Sequence, residues 1–309
     1  MPIIRDLDQL PETARGGAVA IGNFDGVHLG HVRIIHRLLE RARELSGPAI
    51  VFTFDPHPVR ILRPDQCPPP LTWTERKVEL LAQYGVDKIV AYPTDEELLA
   101  LTAAEFFDRI VRNTLAARAM VEGPNFFFGH DRQGDVQTLR ELTDQAGISL
   151  DVVEPYLLEG QLVSSSRIRQ LIGEGDVAQA ARMLSAPYRI RGMVTHGAGR
   201  GAKIGFPTAN LEAVDTLLPA TGVYAGRAWL DEQPCLAAIS LGPNPTFGEA
   251  LLKVEVHLID RSEVLYGRTL EVEFLQRLRD ISAFPNGGAL AAQLQQDVAQ
   301  ARAIGSENV

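Results

Sequence analysis

The first half of the chain alternates short apolar runs with segments of helical period, and this alternation constrains the fold more than any other feature. Ala18–Ile21 and Ala49–Phe54 are runs typical of buried strands, and the segment between them places its apolar residues at helical spacing. Thr102, followed three residues later by Glu105, predicts a capping box at a helix start. Further apolar runs lie at Lys88–Tyr92, 119–121 and 150–153. This order of strands and helices predicts a parallel, doubly wound α/β sheet.

The second half has a different sequence pattern, with short β-type runs separated by Gly, Pro and Asn turns. That pattern favours a compact β-barrel or sandwich and does not decide between them. The tail, 288–303, returns to a helical period and predicts a terminal helix. We therefore predict two domains, 1–186 and 187–309. The β-type runs are 188–195, Gly222–Leu230, 235–241, 253–259 and 269–274.

Composition limits the partners that the chain can have. Its 309 residues carry a formal net charge of -9, which disfavours a general nucleic-acid binder. The two cysteines, Cys67 and Cys235, lie far apart without metal-ligand spacing, so we predict two unpaired thiols. The N-terminal residues do not resemble a signal peptide, and no apolar run is long enough for a membrane span. We expect a cytoplasmic protein without nucleic-acid or membrane partners, and a homo-oligomer is possible.

The segment 22–31, GNFDGVHLGH, lies between the first predicted strand and the first predicted helix. Ligands bind beyond the carboxyl ends of strands in such sheets, where a helix N-terminus offers free N–H groups to a phosphate. The three glycines let the backbone approach closely. His28 and His31 can share one helix face and donate to phosphate oxygens. The alternative is a glycine turn with two surface histidines.

The tetrapeptide 28–31 resembles the HxGH signature of nucleotidylyltransferases, and 22–31 resembles the GNFDGVHxGH of prokaryotic bifunctional riboflavin kinase/FMN adenylyltransferases. Residues 54–58 and 123–129 resemble further segments of that family. Residues 164–169 resemble its SSTxIR motif, although Ser166 stands where threonine is usual. From the residues alone, the three serines predict a cap on a helix that begins at Arg167.

The resemblance implies attack of the FMN phosphate on the α-phosphate of ATP, which gives FAD and pyrophosphate. Positioning and electrostatics, helped by Mg²⁺, carry such a reaction, and no side chain needs to act as a base. It implies His28 and His31 as catalytic residues. It also implies ATP binding by Gly22, Asn23, Phe24, Asp25, Gly26, Gly30, Ser165, Ser166 and Arg169, and FMN binding by Pro56, His57 and Asn125.

A second glycine-rich segment, 196–210, lies in the β-type half. Its backbone N–H groups could wrap a polyphosphate, or the segment could be a long flexible hairpin connection, and spacing alone leaves both open. It resembles the GxxxGFPTAN of riboflavin kinases, which implies Mg²⁺ and ATP phosphates at Thr208 and Asn210. The implied ATP-binding residues are Gly201, Lys203, Gly205, Phe206, Thr208 and Asn210.

Residues 254–257, VEVH, resemble the segment that carries the base of riboflavin kinases. The resemblance implies that Glu255 removes the proton from the ribityl 5′-hydroxyl of riboflavin, for which it must reach that oxygen within about 3 Å. Strand alternation places Glu255 and His257 on one face. A surface glutamate on an edge strand fits the same periodicity, so that alternative stays open.

The resemblance covers about residues 18–302 in the family's motif order. It implies an N-terminal adenylyltransferase domain and a C-terminal riboflavin-kinase-like β-barrel, with ATP, riboflavin and FMN as substrates and FAD as product. One alternative is an enzyme with a single live activity. Another is a flavin-binding or flavin-sensing protein without catalysis, which predicts loss of motif residues such as His28 or Glu255. Both are present.

Overall fold

The computed structural model describes residues 3–197, 199–230, 233–244, 246, 249–261 and 263–307. The chain divides into two compact units, the first formed by Met1–Pro68 and Trp73–Ser164, the second by Pro69–Thr72 and Ser165–Val309. This division follows packing, and it places the segment from Ser165 onward with the barrel. The domain ranges 1–186 and 187–309 stay a prediction.

The first unit contains seven strands and six α-helices among the described residues, together with shorter helical turns. The strands are β1 (Ala18–Ile21), β2 (Ala49–Phe54), β3 (Lys88–Tyr92), β4 (Ala119–Glu122), β5 (Ser149–Val152), β6 (Leu157–Leu158) and β7 (Gln161–Leu162). The helices are α1 (Leu29–Leu45), α2 (Pro58–Leu62), α3 (Thr74–Gln83), α4 (Glu96–Ala100), α5 (Ala103–Phe106) and α6 (Val136–Ala146). A π-helix, Phe107–Thr114, continues α5, and 3-10 turns lie at Glu12–Ala14, Pro64–Gln66 and His130–Arg132.

Five parallel strands form the sheet of this unit in the order β3-β2-β1-β4-β5. The chain moves outward from β1 to β3 and then returns to the other side of β1 at β4. Right-handed crossovers therefore place helices on both faces of the sheet, which confirms the doubly wound prediction. The reversal between β1 and β4 opens a crevice at their carboxyl ends, where such sheets bind ligands.

The sheet is buried on both faces, as apolar strands without alternation predict. Phe52 and Phe107 belong to a cluster on one side, and α1 buries Ile35 and Leu38. The predicted capping box is confirmed, because Thr102 and Glu105 hold each other's backbone N–H groups at the start of α5.

The second unit is a closed six-stranded barrel with helices. Its order is β10-β11-β12-β9-β8-β13, with β13 pairing back onto β10, so the structure selects a barrel over a sandwich. The strands are β8 (Arg189–Thr195), β9 (Ala209–Glu212), β10 (Gly222–Leu230), β11 (Gln233–Asn244), β12 (Glu249–Leu258) and β13 (Thr269–Arg279). The helices are α7 (Ser165–Glu174), α8 (Val177–Met183), α9 (Arg200–Lys203) and α10 (Gly287–Glu307).

The terminal helix α10 packs on the barrel, which confirms the helix predicted for the tail. Ala301 is 1% exposed and lies in an apolar cluster with Ala225 and Ile259. Both cysteines, Cys67 and Cys235, are free. Within the described ranges, no helix has the length and apolar character needed to cross a membrane.

Candidate active sites

The 22–31 loop begins where β1 ends and runs directly into α1. Phe24, Gly26 and Val27 have φ angles of 47°, 84° and 40°, in the left-handed region. For residues other than glycine this conformation costs on the order of 1–3 kcal/mol and persists only where the surroundings impose it. Phe24 and Val27 are 3% and 0% exposed, so the loop is anchored by its apolar side chains. The partly exposed positions of the loop include Gly22, Asn23 and Gly30.

His28 and His31 form a reciprocal cap at the start of α1. The backbone N–H of His31 donates to Nδ1 of His28, and the backbone N–H of His28 donates to Nδ1 of His31, each at 3.3 Å. The two rings stack with centroids 3.6 Å apart and an interplanar angle of 16°. The sequence prediction that the rings share one face is therefore confirmed.

This cap determines where the two rings carry their protons. Each Nδ1 accepts a backbone N–H and is therefore unprotonated, so the neutral ring carries its hydrogen on Nε2. Burial lowers the pKa of His28 to about 4, although the charge of Asp25 acts in the opposite direction. Burial, followed by the charges of His28 and Lys77, holds the pKa of His31 well below its usual range. At neutral pH the site offers two neutral Nε2–H donors.

The lack of a side chain at Gly30 leaves space for the imidazole ring of His28. A Cβ at this position would lie 3.0 Å from Cε1 and 3.1 Å from Nδ1 of His28, so any other residue would press on that ring. Phe24 packs on the other member of the pair, its ring centroid 5.1 Å from that of His31. The glycine of the HxGH pattern thus has a steric reason in this chain.

A buried carboxyl group on β4 supports the start of the loop. Glu122 is 3% exposed and accepts the backbone N–H of Ile21 at 2.8 Å. The β1–β4 ladder has ended by this point, so the side chain replaces a strand partner as the two strands separate. Burial raises the pKa of Glu122 well above its usual range. Glu122 was not predicted as a functional residue, because an acidic residue after an apolar run is typical of an ordinary strand end.

The predicted FMN-binding residues follow the two strands that flank β1. His57 caps α2, and its Nδ1 accepts the backbone N–H of Val59 at 3.1 Å. Pro56, just before it, accepts a hydrogen bond from Thr94 Oγ1 at 2.6 Å through its carbonyl oxygen. Asn125 is exposed in the turn after β4. All three positions lie beyond the carboxyl ends of parallel strands, the same sheet edge as the 22–31 loop.

In the serine-rich segment, Ser164 ends the first unit, and Ser165 and Ser166 belong to the second. Helix α7 begins at Ser165, so the prediction that the helix begins at Arg167 is wrong by two residues. The two serines can form its first turn because serine in a helix costs less than about 0.7 kcal/mol relative to alanine. Arg169 donates from Nε to the carbonyl oxygen of Pro69 at 3.2 Å. That contact lies within the second unit.

Glu255 lies on β12, in the interior of the barrel wall. Its strand pairs with β11 on one side and β9 on the other, so the edge-strand alternative is wrong. Glu255 is directly opposite Asn210 on β9 and Ser240 on β11. Directly opposed residues of antiparallel strands share a face. The three polar side chains therefore form one row across the barrel wall.

The glycine-rich segment 196–210 joins β8 to β9 through the short helix α9. Gly201 has no room for a side chain, because a Cβ there would lie 2.2 Å from the carbonyl oxygen of Phe206. Gly205 has a φ of 88°. The segment is thus a folded turn rather than an open hairpin connection. The side chain of Lys203 and all of residue 198 lie outside the described part of the chain.

These residues surround one cavity between the barrel wall and α10. Its empty volume is about 1080 Å³, part of it open to solvent. The cavity lining includes residues of the glycine-rich segment, the polar row and α10, namely Gly201, Phe206, Thr208, Asn210, Ser240, Glu255, His257, Leu290, Leu294 and Asp297. The structure therefore brings together five of the kinase residues that the resemblance implied, Gly201, Phe206, Thr208, Asn210 and Glu255. Gly205 does not line the cavity, and the side chain of Lys203 is not described.

Three further cavity residues, His257, Arg279 and Asp297, were not predicted as functional. His257 donates from Nδ1 to the carbonyl oxygen of Pro207 at 2.8 Å, which ties β12 to the residue before Thr208. Arg279 forms a bidentate pair with Asp297, at 2.9 and 2.7 Å, and so joins β13 to α10. Sequence gave no signal for the second pair, because its partners lie on different elements.

The polar atoms of this cavity suit a hard divalent cation. Thr208 contributes a hydroxyl, Asn210 an amide oxygen and Glu255 a carboxylate, which are the oxygen ligands that Mg²⁺ prefers. The hydroxyl of Thr195 is buried directly opposite Asn210 and has no hydrogen-bond partner among the described residues. Within that part of the chain, no cluster of three His, Cys, Asp or Glu side chains forms a separate metal site.

A glycine-containing loop at a sheet switch point and a carboxylate in a barrel cavity are the features expected of a transferase that acts on phosphate groups at two sites. The family model for FAD synthetase matches residues 10–167, and that for riboflavin kinase matches residues 184–305. The chain belongs to the family of bifunctional riboflavin kinase/FMN adenylyltransferases, which confirms the resemblance seen in its motifs. Its activities are those of a riboflavin kinase and an FMN adenylyltransferase.

Similar proteins extend over almost the whole chain. The bifunctional riboflavin kinase/FMN adenylyltransferase of Pseudomonas fluorescens is 37% identical over 305 residues, covering 98% of each chain. That of Escherichia coli K12 is 33% identical over 304 residues, covering 98% of this chain and 97% of the relative. A solved structure described as a macrolide-efflux protein from Streptococcus pneumoniae matches with a TM-score of 0.86 and 32% identity, covering 97% and 98% of the two chains.

Proposed function

We propose that adenylyl transfer takes place at the 22–31 loop and phosphorylation of riboflavin in the barrel cavity. The observation that carries the first assignment is the reciprocal cap of His28 and His31. It occupies both Nδ1 atoms and leaves both Nε2–H groups for a ligand. Donors fixed in this way stabilise charge that develops on a phosphate during transfer, because they need no reorganisation at that moment.

In the adenylyl transfer, the phosphate of FMN attacks the α-phosphorus of ATP and pyrophosphate leaves. The nucleophile is already an anion, so the two neutral imidazoles act as donors and no base is needed. The ATP phosphates approach the turn from Gly22 to Gly26, which enters the N-terminus of α1, where the helix dipole favours an anion. Pro56, His57 and Asn125 bind FMN, and the ATP-binding roles of Ser165, Ser166 and Arg169 stay predictions from the sequence.

In the kinase reaction, Glu255 accepts the proton of the ribityl 5′-hydroxyl as that oxygen attacks the γ-phosphorus of ATP, and ADP leaves as the bond from the γ-phosphorus to the bridging oxygen breaks. A neutral hydroxyl needs such a base, and a carboxylate provides one if it reaches the oxygen within about 3 Å. Support comes from the polar row, which places Glu255 next to Asn210 at the glycine-rich segment. Gly201, Lys203, Gly205 and Phe206 bind ATP along that segment.

Thr208 and Asn210 would hold Mg²⁺ together with the phosphates of ATP. The bound cation supplies positive charge that offsets the charge of the phosphate oxygens. The substrates ATP, riboflavin and FMN are small solutes, so we place the enzyme in the cytoplasm, without a nucleic-acid partner.

Two differently labelled batches of ATP test the two reactions, and the same assay on Glu255→Ala, which is expected to lose the labelled FMN, tests the site of phosphorylation. With riboflavin and Mg²⁺, γ-labelled ATP is expected to label FMN, and α-labelled ATP is expected to label FAD but not FMN. Pyrophosphate and FAD are expected in equal amounts. Label from the α-position in FMN, or FAD formed without pyrophosphate, would contradict the proposal.

A further inference from the structure

The 22–31 loop depends on contacts outside its own sequence. Its backbone is left-handed at Phe24 and Val27, two residues that rarely adopt this conformation. Such a conformation persists only when surrounding groups impose it. Glu122 fixes the loop where it leaves β1, by accepting the N–H of Ile21. A second support reaches the loop at Asn23 and comes from β2, the strand on the other side of β1.

That second support runs from Lys77 through Thr53 to the loop. Lys77, on α3, is 6% exposed, and its Nζ donates to Oγ1 of Thr53 at 3.3 Å. Thr53, at the end of β2, is 0% exposed, and its hydroxyl donates to the carbonyl oxygen of Asn23 at 3.1 Å. The direction of this relay is fixed, because an ammonium group has only donors and a hydroxyl has one proton.

A lysine is almost never buried to this extent unless charged or polar groups compensate it. Burial lowers the pKa of Lys77, and the carboxylates of Asp25 and Asp55 act in the opposite direction. Asp25 belongs to the loop itself, and Asp55 follows β2. The charge of Lys77 in turn acts on His31. Thus a buried cation from α3 interacts with the loop by a hydrogen-bond relay and by its charge.

We propose that Lys77 is a positioning residue for adenylyl transfer, which acts through Thr53 to fix the backbone of the phosphate-binding loop at Asn23. The inference rests on the proposed role of the loop, and it adds a residue that lies in none of the motifs on which the family resemblance was based. Lys77 does not need to touch ATP. Its contribution is the position of the loop N–H groups and of the stacked histidines that follow them.

A double-mutant cycle on FAD formation from supplied FMN tests this relay. Lys77→Met and Thr53→Val each keep the approximate size of the side chain. The first removes the hydrogen bond from Lys77 to Thr53, and the second removes that bond and the one from Thr53 to Asn23. Each is expected to lower kcat by about tenfold to a hundredfold, with a smaller change in the KM for FMN. Because both act on one relay, the double variant is expected to be no worse than the worse single variant within about threefold.

Matched controls separate positioning from folding. Lys88→Met changes a lysine at the amino end of β3, and Thr143→Val changes a threonine that is also 0% exposed but bonds only within α6. Both are expected to retain FAD formation. All variants are expected to retain riboflavin kinase activity. Lys77→Met leaves the buried carboxylate of Asp25 without this cation, so its unfolding midpoint is expected to fall, and FAD formation is compared at a temperature at which every variant is folded.

Several results would overturn the inference. Full FAD formation by Lys77→Met, or by Thr53→Val if the first variant does not fold, would do so. Losses that multiply in the double variant would show that the two residues act separately. If His28→Asn also keeps full FAD formation, the assignment of adenylyl transfer to this loop has failed; if only Lys77→Met keeps it, the relay alone has failed.

Discussion

The two sites that we propose for ATP present opposite chemistry. The loop after β1 presents imidazole and backbone N–H donors, with the pKa of His28 lowered to about 4 so that the ring stays neutral. The barrel cavity presents oxygen atoms, from Thr208, Asn210 and Glu255. The difference follows from the two nucleophiles. A phosphate anion needs donors around it, whereas a hydroxyl needs an acceptor for its proton.

The largest effect that distinguishes the two sites is expected from Glu255→Ala. Without the acceptor, FMN formation from riboflavin is expected to fall by about a thousandfold, within the range for loss of a general base. FAD formation from supplied FMN is expected to be unchanged, as measured by chromatography of the flavins. Glu212→Ala, at an exposed glutamate of the neighbouring strand β9, serves as the control. Equal losses of FMN formation and FAD formation would contradict the assignment of the two reactions to different sites.

His28→Asn gives the converse effect. Asparagine is a good N-cap, so α1 keeps its start while the imidazole donor is lost. FAD formation is expected to fall by about a hundredfold, the usual effect of removing one fixed donor. Riboflavin kinase activity is expected to remain. His36→Asn, at an exposed position on the same helix, is the control, and a similar loss in both variants would argue against a specific role for His28.

The neutral histidine also predicts a pH dependence of stability. The unfolded chain binds a proton at the ordinary pKa of about 6.5, whereas folded His28 does so only at about 4. Stability is therefore lost as the pH falls through this window, by about 2 kcal/mol between pH 7 and pH 5 for this group. The free energy of unfolding, measured with denaturant at the two pH values, is expected to fall by about 2 kcal/mol more for the native chain than for His28→Asn. An equal loss in both chains would contradict a buried neutral ring.

The smallest effect is expected from Gly30→Ala. The added Cβ presses on the His28 ring from 3.0 Å and is expected to shift it by a few tenths of an ångström. FAD formation is expected to fall by about tenfold, since small misplacements of a catalytic group are costly. Gly173→Ala, on α7 with nothing within 4 Å of the added atom, is expected to have no effect in the same assay. Unchanged FAD formation in Gly30→Ala would show that the ring tolerates movement.

Sequence predicted the framework of both sites because both rest on local patterns. The apolar runs fixed β1 to β3 at the bounds that the structure shows, and the spacing of His28 and His31 predicted a shared face. Strand β9 was not predicted, because its four residues show no clear alternation of apolar and polar side chains and follow a glycine-rich turn. Its position between β8 and β12 is what closes the barrel and places Asn210 beside Glu255.

The groups that support the phosphate loop could not be predicted in this way. Glu122, Lys77 and Thr53 are distant from the loop in sequence and are buried only because the sheet brings strand ends together. In the sequence, a buried charge and a surface charge look alike. The proton positions of the histidines also needed the structure, since imidazole is not a usual helix cap.

The central claim is that two separate sites of one chain carry out the two steps. The most direct measurement supplies riboflavin, ATP and Mg²⁺ to Glu255→Ala, to His28→Asn and to an equal mixture of the two, and follows the flavins by chromatography. We expect Glu255→Ala to leave riboflavin unchanged, His28→Asn to accumulate FMN, and the mixture to form FAD. Rapid FAD formation by either variant alone, or loss of both activities from one variant that still folds, would contradict it.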